Sequence, residues 1–120
     1  MYFMINGRHV TFLYLLKLIF KEKKVMKEKA FETHVDKEYG YKDGFHMTFA
    51  NGCTISVVFG KYTYSDGGET TAEVAAWHSN GNWMYHQEGD WIEIRNSSDV
   101  MPRRTADEVA KLIYSLSQYK

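Results

Sequence analysis

Apolar and polar residues alternate with period two from about residue 39 onward, and each alternating run predicts a strand with one buried face. Phe45, Met47 and Phe49 alternate with His46 and Thr48; Cys53, Ile55, Val57 and Phe59 alternate with Thr54 and Ser56. Ala50, Asn51 and Gly52 lie between the two runs. A two-residue Asn-Gly turn would set Phe49 opposite Thr54 and Met47 opposite Ser56, apolar against polar. A three-residue loop with Gly52 left-handed sets Phe49 opposite Cys53 and Met47 opposite Ile55. Both apolar rows then share a face, so the three-residue loop is expected.

Residues 61–70 (KYTYSDGGET) are polar and read as a loop with two projecting tyrosines, Tyr62 and Tyr64. In the third strand, 71–77, Ala72, Val74 and Ala76 share one face and Glu73, Ala75 and Trp77 the other. After a turn at 79–82, residues 83–86 and 91–95 read as two more strands joined by Gln87-Glu88-Gly89-Asp90. No helix fits between the strands, which predicts an antiparallel meander. Thr105 with Glu108 makes a capping box, and Val109, Leu112, Ile113 and Leu116 form one apolar stripe at helical spacing. Pro102 suits a turn leading into that helix. The expected fold is α+β: an antiparallel meander of about five strands with a C-terminal helix on its apolar face. A core of roughly ninety residues is marginal in size, so a homo-oligomer is expected to cover the second sheet face.

The N-terminal part differs. Residues 1–30 hold seven basic and two acidic side chains, a net +5, so residues 31–120 carry −5 and the whole chain is neutral. The same part contains the most apolar run, 10–20, broken by Thr11 and Lys17. The run is shorter than the roughly 20 residues a membrane span needs, and Lys-Glu-Lys-Lys follows it where a secretory signal would place small residues. Two readings stand. The run is an N-terminal helix docked on the domain or on a second copy, or translation starts naturally at Met26 and 1–25 come from an upstream start. The domain division is therefore a basic, apolar extension at 1–30 and a single α+β domain at 31–120.

Zero net charge argues against a nucleic-acid binder and against an acidic mimic of DNA. Cys53 is the lone cysteine, which excludes an internal disulfide framework, and its place on an inward row predicts an inert thiol. His9, His34, His46, His78 and His86 lack the spacings of zinc sites, and no nucleophile motif or cofactor motif is present, so neither an enzyme nor a bound metal is expected. Two features point to binding. Arg103 and Arg104 precede a helix N-terminus, a combination suited to phosphate or carboxylate, unless they pair with Asp99 and Asp107. Aromatics reach 16%, and Tyr62, Tyr64, Trp77, Trp83, Tyr85 and Trp91 offer flat faces for a base, unless they simply pack in the core and sheet.

The segments Phe49-Ala50-Asn51-Gly52-Cys53-Thr54-Ile55-Ser56-Val57-Val58-Phe59-Gly60, Ala72-Glu73-Val74-Ala75-Ala76-Trp77, Gly81-Asn82-Trp83 and Ala106-Asp107-Glu108-Val109-Ala110 together resemble a family of small phage and prophage accessory proteins. More weakly, the layout is similar to anti-Thoeris sponge proteins, sheet-plus-helix oligomers that sequester cyclic nucleotide signals. The resemblance implies a non-enzymatic, phage-encoded anti-defence protein acting in the host cytoplasm, without a membrane or nucleic-acid partner. By residue type, Trp77 or Trp83 would stack the base, Arg103 or Arg104 hold phosphate, and Asp107 hold ribose, with Tyr62 and Tyr64 as further ligand contacts. The rival expectations are a protein-binding inhibitor of a host defence nuclease, of the anti-CRISPR type, and an accessory domain of undetermined role. The ligand expectation rests on the arginines and the indoles sharing one concave surface, within one protomer or across two.

Overall fold

The computed structural model describes residues 2–5, 8–11, 29–95 and 97–120. Its main body is an antiparallel seven-stranded sheet with a helix packed against one face. Among the described residues, strands β1 (Tyr2–Ile5) and β2 (Arg8–Thr11) pair with each other in a separate two-stranded sheet. The sheet follows as β3 (Phe31–Val35), β4 (Lys42–Thr48), β5 (Cys53–Val58), β6 (Thr71–His78), β7 (Trp83–Gln87) and β8 (Asp90–Ile94), each beside the next. β9 (Met101–Thr105) joins the edge of β6 that β5 leaves open. It takes the Thr71 half of β6, while β7 takes Ala76 and Trp77. Helix α1 (Ala106–Ser117) then crosses β5, β6 and β9.

The β4–β5 register is the expected one. Met47 lies opposite Ile55, the Phe49 N–H donates to the Cys53 carbonyl at 2.8 Å, and Gly52 has φ +87°. Only glycine adopts that left-handed turn position without a steric cost. The helix also starts as expected: the Thr105 hydroxyl accepts the Glu108 N–H, and the Glu108 carboxylate accepts the Thr105 N–H. Leu112 and Leu116 of its stripe are buried, with Val109 and Ile113 packed beside them. They meet Cys53, Ile55 and Val57 from β5, Ala72, Val74 and Ala76 from β6, and Met84, Trp91 and Met101 from the remaining strands. Trp91 is thus a core residue whose indole N–H donates to the Ser115 hydroxyl at 2.8 Å. It is not a stacking platform.

Three expectations are corrected. β3 occupies residues placed before the change to strand pattern, although Phe31, Thr33 and Val35 alternate there with Glu32 and His34. Pro102 is part of β9 and not of a turn. It lies with Arg103 inside a register shift of the β6–β9 ladder, where a residue lacking an N–H breaks no regular pair. For the apolar run at 10–20, Val10 and Thr11 belong to a strand, and the remainder of the expected N-terminal helix lies outside the described residues. No helix among the described residues is long and apolar enough to cross a membrane.

Candidate functional site

A sheet has two faces, and the helix covers only one. Ala72, Val74 and Ala76 point to the helix side, so Glu73, Ala75 and Trp77 point to the other. The ladder extends that open face across the sheet, because His46 pairs with Ser56, Thr54 with Trp77, and Trp77 with Trp83. The result is a cleft of about 800 Å³ bordered by His34, His46, Ser56, Glu73, Trp77 and Trp83. Four rings step along it. The His34 and His46 centroids are 5.2 Å apart, His46 and Trp77 5.2 Å, and Trp77 and Trp83 5.6 Å. None of these pairs is parallel; the interplanar angles run from 49° to 82°. Tilted and edge-on contacts suit ring quadrupoles.

One end of the cleft is anchored by a buried carboxylate. Asp43 is the extra residue in the β3–β4 ladder, since His34 pairs with Gly44 and Val35 with Lys42. That bulge turns the Asp43 side chain inward, where it meets the His34 Nδ1 at 2.5 Å. The partnership suits a carboxylate held out of water, and it turns the other ring nitrogen of His34 away from Asp43. Gly60 makes room for it: a Cβ there would lie 2.7 Å from the Asp43 carboxylate. The glycine of the Phe59-Gly60 motif is therefore explained by close approach.

The residues expected at the site are distributed over different surfaces. Trp77 and Trp83 meet in the open-face cleft. Arg104 lies on the helix side, bordering a groove of about 420 Å³ with Phe45, Val109 and Ile113. Within one protomer Arg104 therefore does not share a surface with the Trp77 and Trp83 indoles. Arg103 holds a left-handed φ of +51°, and its N–H donates to the Tyr64 carbonyl at 2.9 Å. The Tyr64 N–H donates in turn to the Glu73 carboxylate at 2.7 Å, so both residues attach through their backbones to the rim of the cleft. Tyr62 is exposed and stacks on Tyr39 at 5.1 Å; Tyr39 stacks on Tyr41 at 6.0 Å. A hydrogen bond with Tyr39, aided by partial desolvation and the Asp36 charge, raises the Tyr62 phenol above its ordinary range. Asp107 sits exposed in the first helical turn. Asp107 and Glu108 already compensate the dipole there, and the capping box uses the Glu108 N–H, so this helix start offers less to an anion than its sequence suggests.

His34, Asp43, His46 and Glu73 are not among the binding residues expected from the sequence. The signal for His46 and Glu73 lies in the alternation itself: once the apolar rows are fixed, the intervening residues form the opposite row. Asp43 gave no such signal, because a bulge shifts its parity. Elsewhere, Cys53 is fully buried, and desolvation, with the Glu93 charge as a smaller cause, pushes its thiol up to about 11. Comparison with family models, with curated proteins and with solved structures finds no match, so these residues stand on their own geometry.

Proposed function

We propose that this chain is a non-enzymatic binding protein that sequesters a flat, nucleotide-derived host signal on the open face of its sheet. The reading places it as a phage-encoded anti-defence protein of the host cytoplasm. The observation that carries the proposal is the row of four rings along the 800 Å³ cleft. Indole and imidazole faces stack a base with little regard to its identity. His34, fixed by Asp43, and Lys37 supply polar contacts in the same cleft, in the role expected of Arg103 or Arg104.

Calorimetry and tryptophan fluorescence with a panel of cyclic nucleotides test it. One member of the panel is expected to release heat and to change the emission of Trp77 and Trp83. Trp83→Ala should weaken that binding by about 1–3 kcal/mol, roughly 5- to 150-fold. Arg104→Ala on the opposite face should leave it unchanged. No heat and no fluorescence change with any nucleotide would reject the proposal.

A second reading rests on the exposed stack of Tyr39, Tyr41 and Tyr62. Tyrosines supply large contact area at low entropic cost in protein interfaces, which favours an inhibitor docked on a host nuclease. In that case Tyr39→Ala with Tyr62→Ala abolishes capture of the nuclease and leaves nucleotide binding intact.

A further inference from the structure

We infer that two copies of this chain pair through β3, edge to edge and antiparallel about Thr33, continuing the sheet across a two-fold axis. Among the described residues β3 pairs with β4 alone, so its outer edge presents backbone groups without a strand partner. The direction of those groups follows from one bond. The Ala30 carbonyl faces β4, where it accepts the Thr48 N–H at 3.0 Å. Backbone groups alternate sides along an antiparallel strand, so Phe31, Thr33 and Val35 turn theirs to the open edge.

The side chains favour a second copy as the occupant. Phe31 is 74% exposed and Val35 45%, a poor way for an edge strand to end unless it is covered. Both lie on the side of the Met47 row, beyond the helix, which packs on β5, β6 and β9. Pairing about Thr33 sets Phe31 against Val35 of the partner subunit and Val35 against Phe31 of the partner subunit. On the other side of the sheet it sets Glu32 against His34 of the partner subunit, an acid opposite an imidazole. Apolar thus meets apolar, acid meets imidazole and Thr33 meets its own copy on the axis, which is the self-complementarity a two-fold interface requires. Glu32 and His34 both border the open-face cleft. The clefts of the two copies therefore meet at the axis, and the partner's Glu32 completes the end that His34 occupies. The pairing stands whether or not the cleft takes a nucleotide.

Sedimentation velocity on the full chain tests it, with a dimer expected from micromolar concentrations upward. Thr33→Pro removes an N–H that faces the open edge and no bond to β4, so it should give a monomer with an unchanged circular dichroism spectrum. Phe31→Lys and Val35→Glu should each weaken dimerisation, by roughly tenfold over the two symmetric pairs. Mixing the two variants should restore it, because at this register the new cation of one chain faces the new anion of the other. A wild-type monomer throughout, or a Thr33→Pro protein that stays dimeric, overturns the pairing. Mixed variants that fail to associate overturn the register.

Discussion

Asn51 carries three hydrogen bonds, two of which join it to the distant C-terminal end of the chain. Its side-chain amide donates to the carbonyls of Leu116 at 2.8 Å and Tyr119 at 3.0 Å, and its oxygen accepts the Cys53 N–H at 3.0 Å. Carbonyls at a helix C-terminus have no intrahelical partner, so the β4–β5 loop supplies one to the end of α1. Asn51→Ala removes all three bonds and leaves the N–H of the fully buried Cys53 without its acceptor. At a net of about 1 kcal/mol per bond, the loss is about 3 kcal/mol. That is a large share of the roughly 5–15 kcal/mol that holds a domain folded, and at this size it lowers Tm by roughly 10–25 °C. Asn51→Asp separates the donors from the acceptor. The carboxylate can still accept the Cys53 N–H but turns negative oxygen toward two carbonyls, so it should cost at least as much as alanine. Those carbonyl dipoles raise the pKa of the introduced carboxyl in the folded state. A group whose folded pKa is raised favours folding where it is protonated, so this variant alone should regain stability as pH falls from 7 toward 5. Urea unfolding followed by the emission of Trp91, which is anchored to α1, measures each loss, with an unchanged m-value as the check on two-state behaviour. An Asn51→Asp protein within about 0.5 kcal/mol of wild type would refute the reasoning.

Three further outcomes follow from local geometry. Glu88 has φ +54° and Gly89 φ +86°, the two-residue primed turn that favours asparagine at its first position; Glu88→Asn should stabilise by about 1 kcal/mol, read as a rise in Tm. Hydrogen bonds from Asn80, Asn82 and the Tyr119 hydroxyl hold Glu93 down at about 2. A depressed folded pKa means stability present above the unfolded value of about 4.3 and lost as pH falls toward 2, so Glu93→Gln should flatten part of the acid limb of a stability–pH curve. Asp66 and Glu108, also lowered by hydrogen bonds, account for slope that remains. Cys53 should resist Ellman's reagent at pH 8 in the folded protein and react at once in urea; rapid labelling of the native protein would contradict its burial.

The parts of the fold legible from residues alone are those where one periodicity has no competitor. The β4–β5 register was decided by which loop length placed two apolar rows on one face, and the capping box at Thr105 and Glu108 fixed the start of α1. β9 is not legible in the sequence because its chemistry contradicts its conformation. Pro102, Arg103 and Arg104 read as a break, and only Met101 is buried; the strand exists because the chain must run beside β6 before α1 can cross it. β3 is exposed along most of its length, so its alternation separates one partly exposed row from another and carries little contrast.

The same difference explains why the site was half legible. Composition announced a surplus of aromatic rings and a cationic pair, but composition has no sides. Trp77 and Arg104 fall on opposite faces because Trp77 is an odd step from the inward row of β6, whereas Arg104 pairs with Ala72, which belongs to that row. Parity along two paired strands was therefore enough to separate them, once β9 was known to be a strand. What parity could not supply is Asp43. A bulge reverses the side to which a residue points, and here it brings a carboxylate from β4 under His34. The buried anchor of the cleft thus arises where the regular pattern fails, and it depends on Gly60 having no side chain. A methyl at that position would displace Asp43 and, with it, the histidine that opens the row of rings.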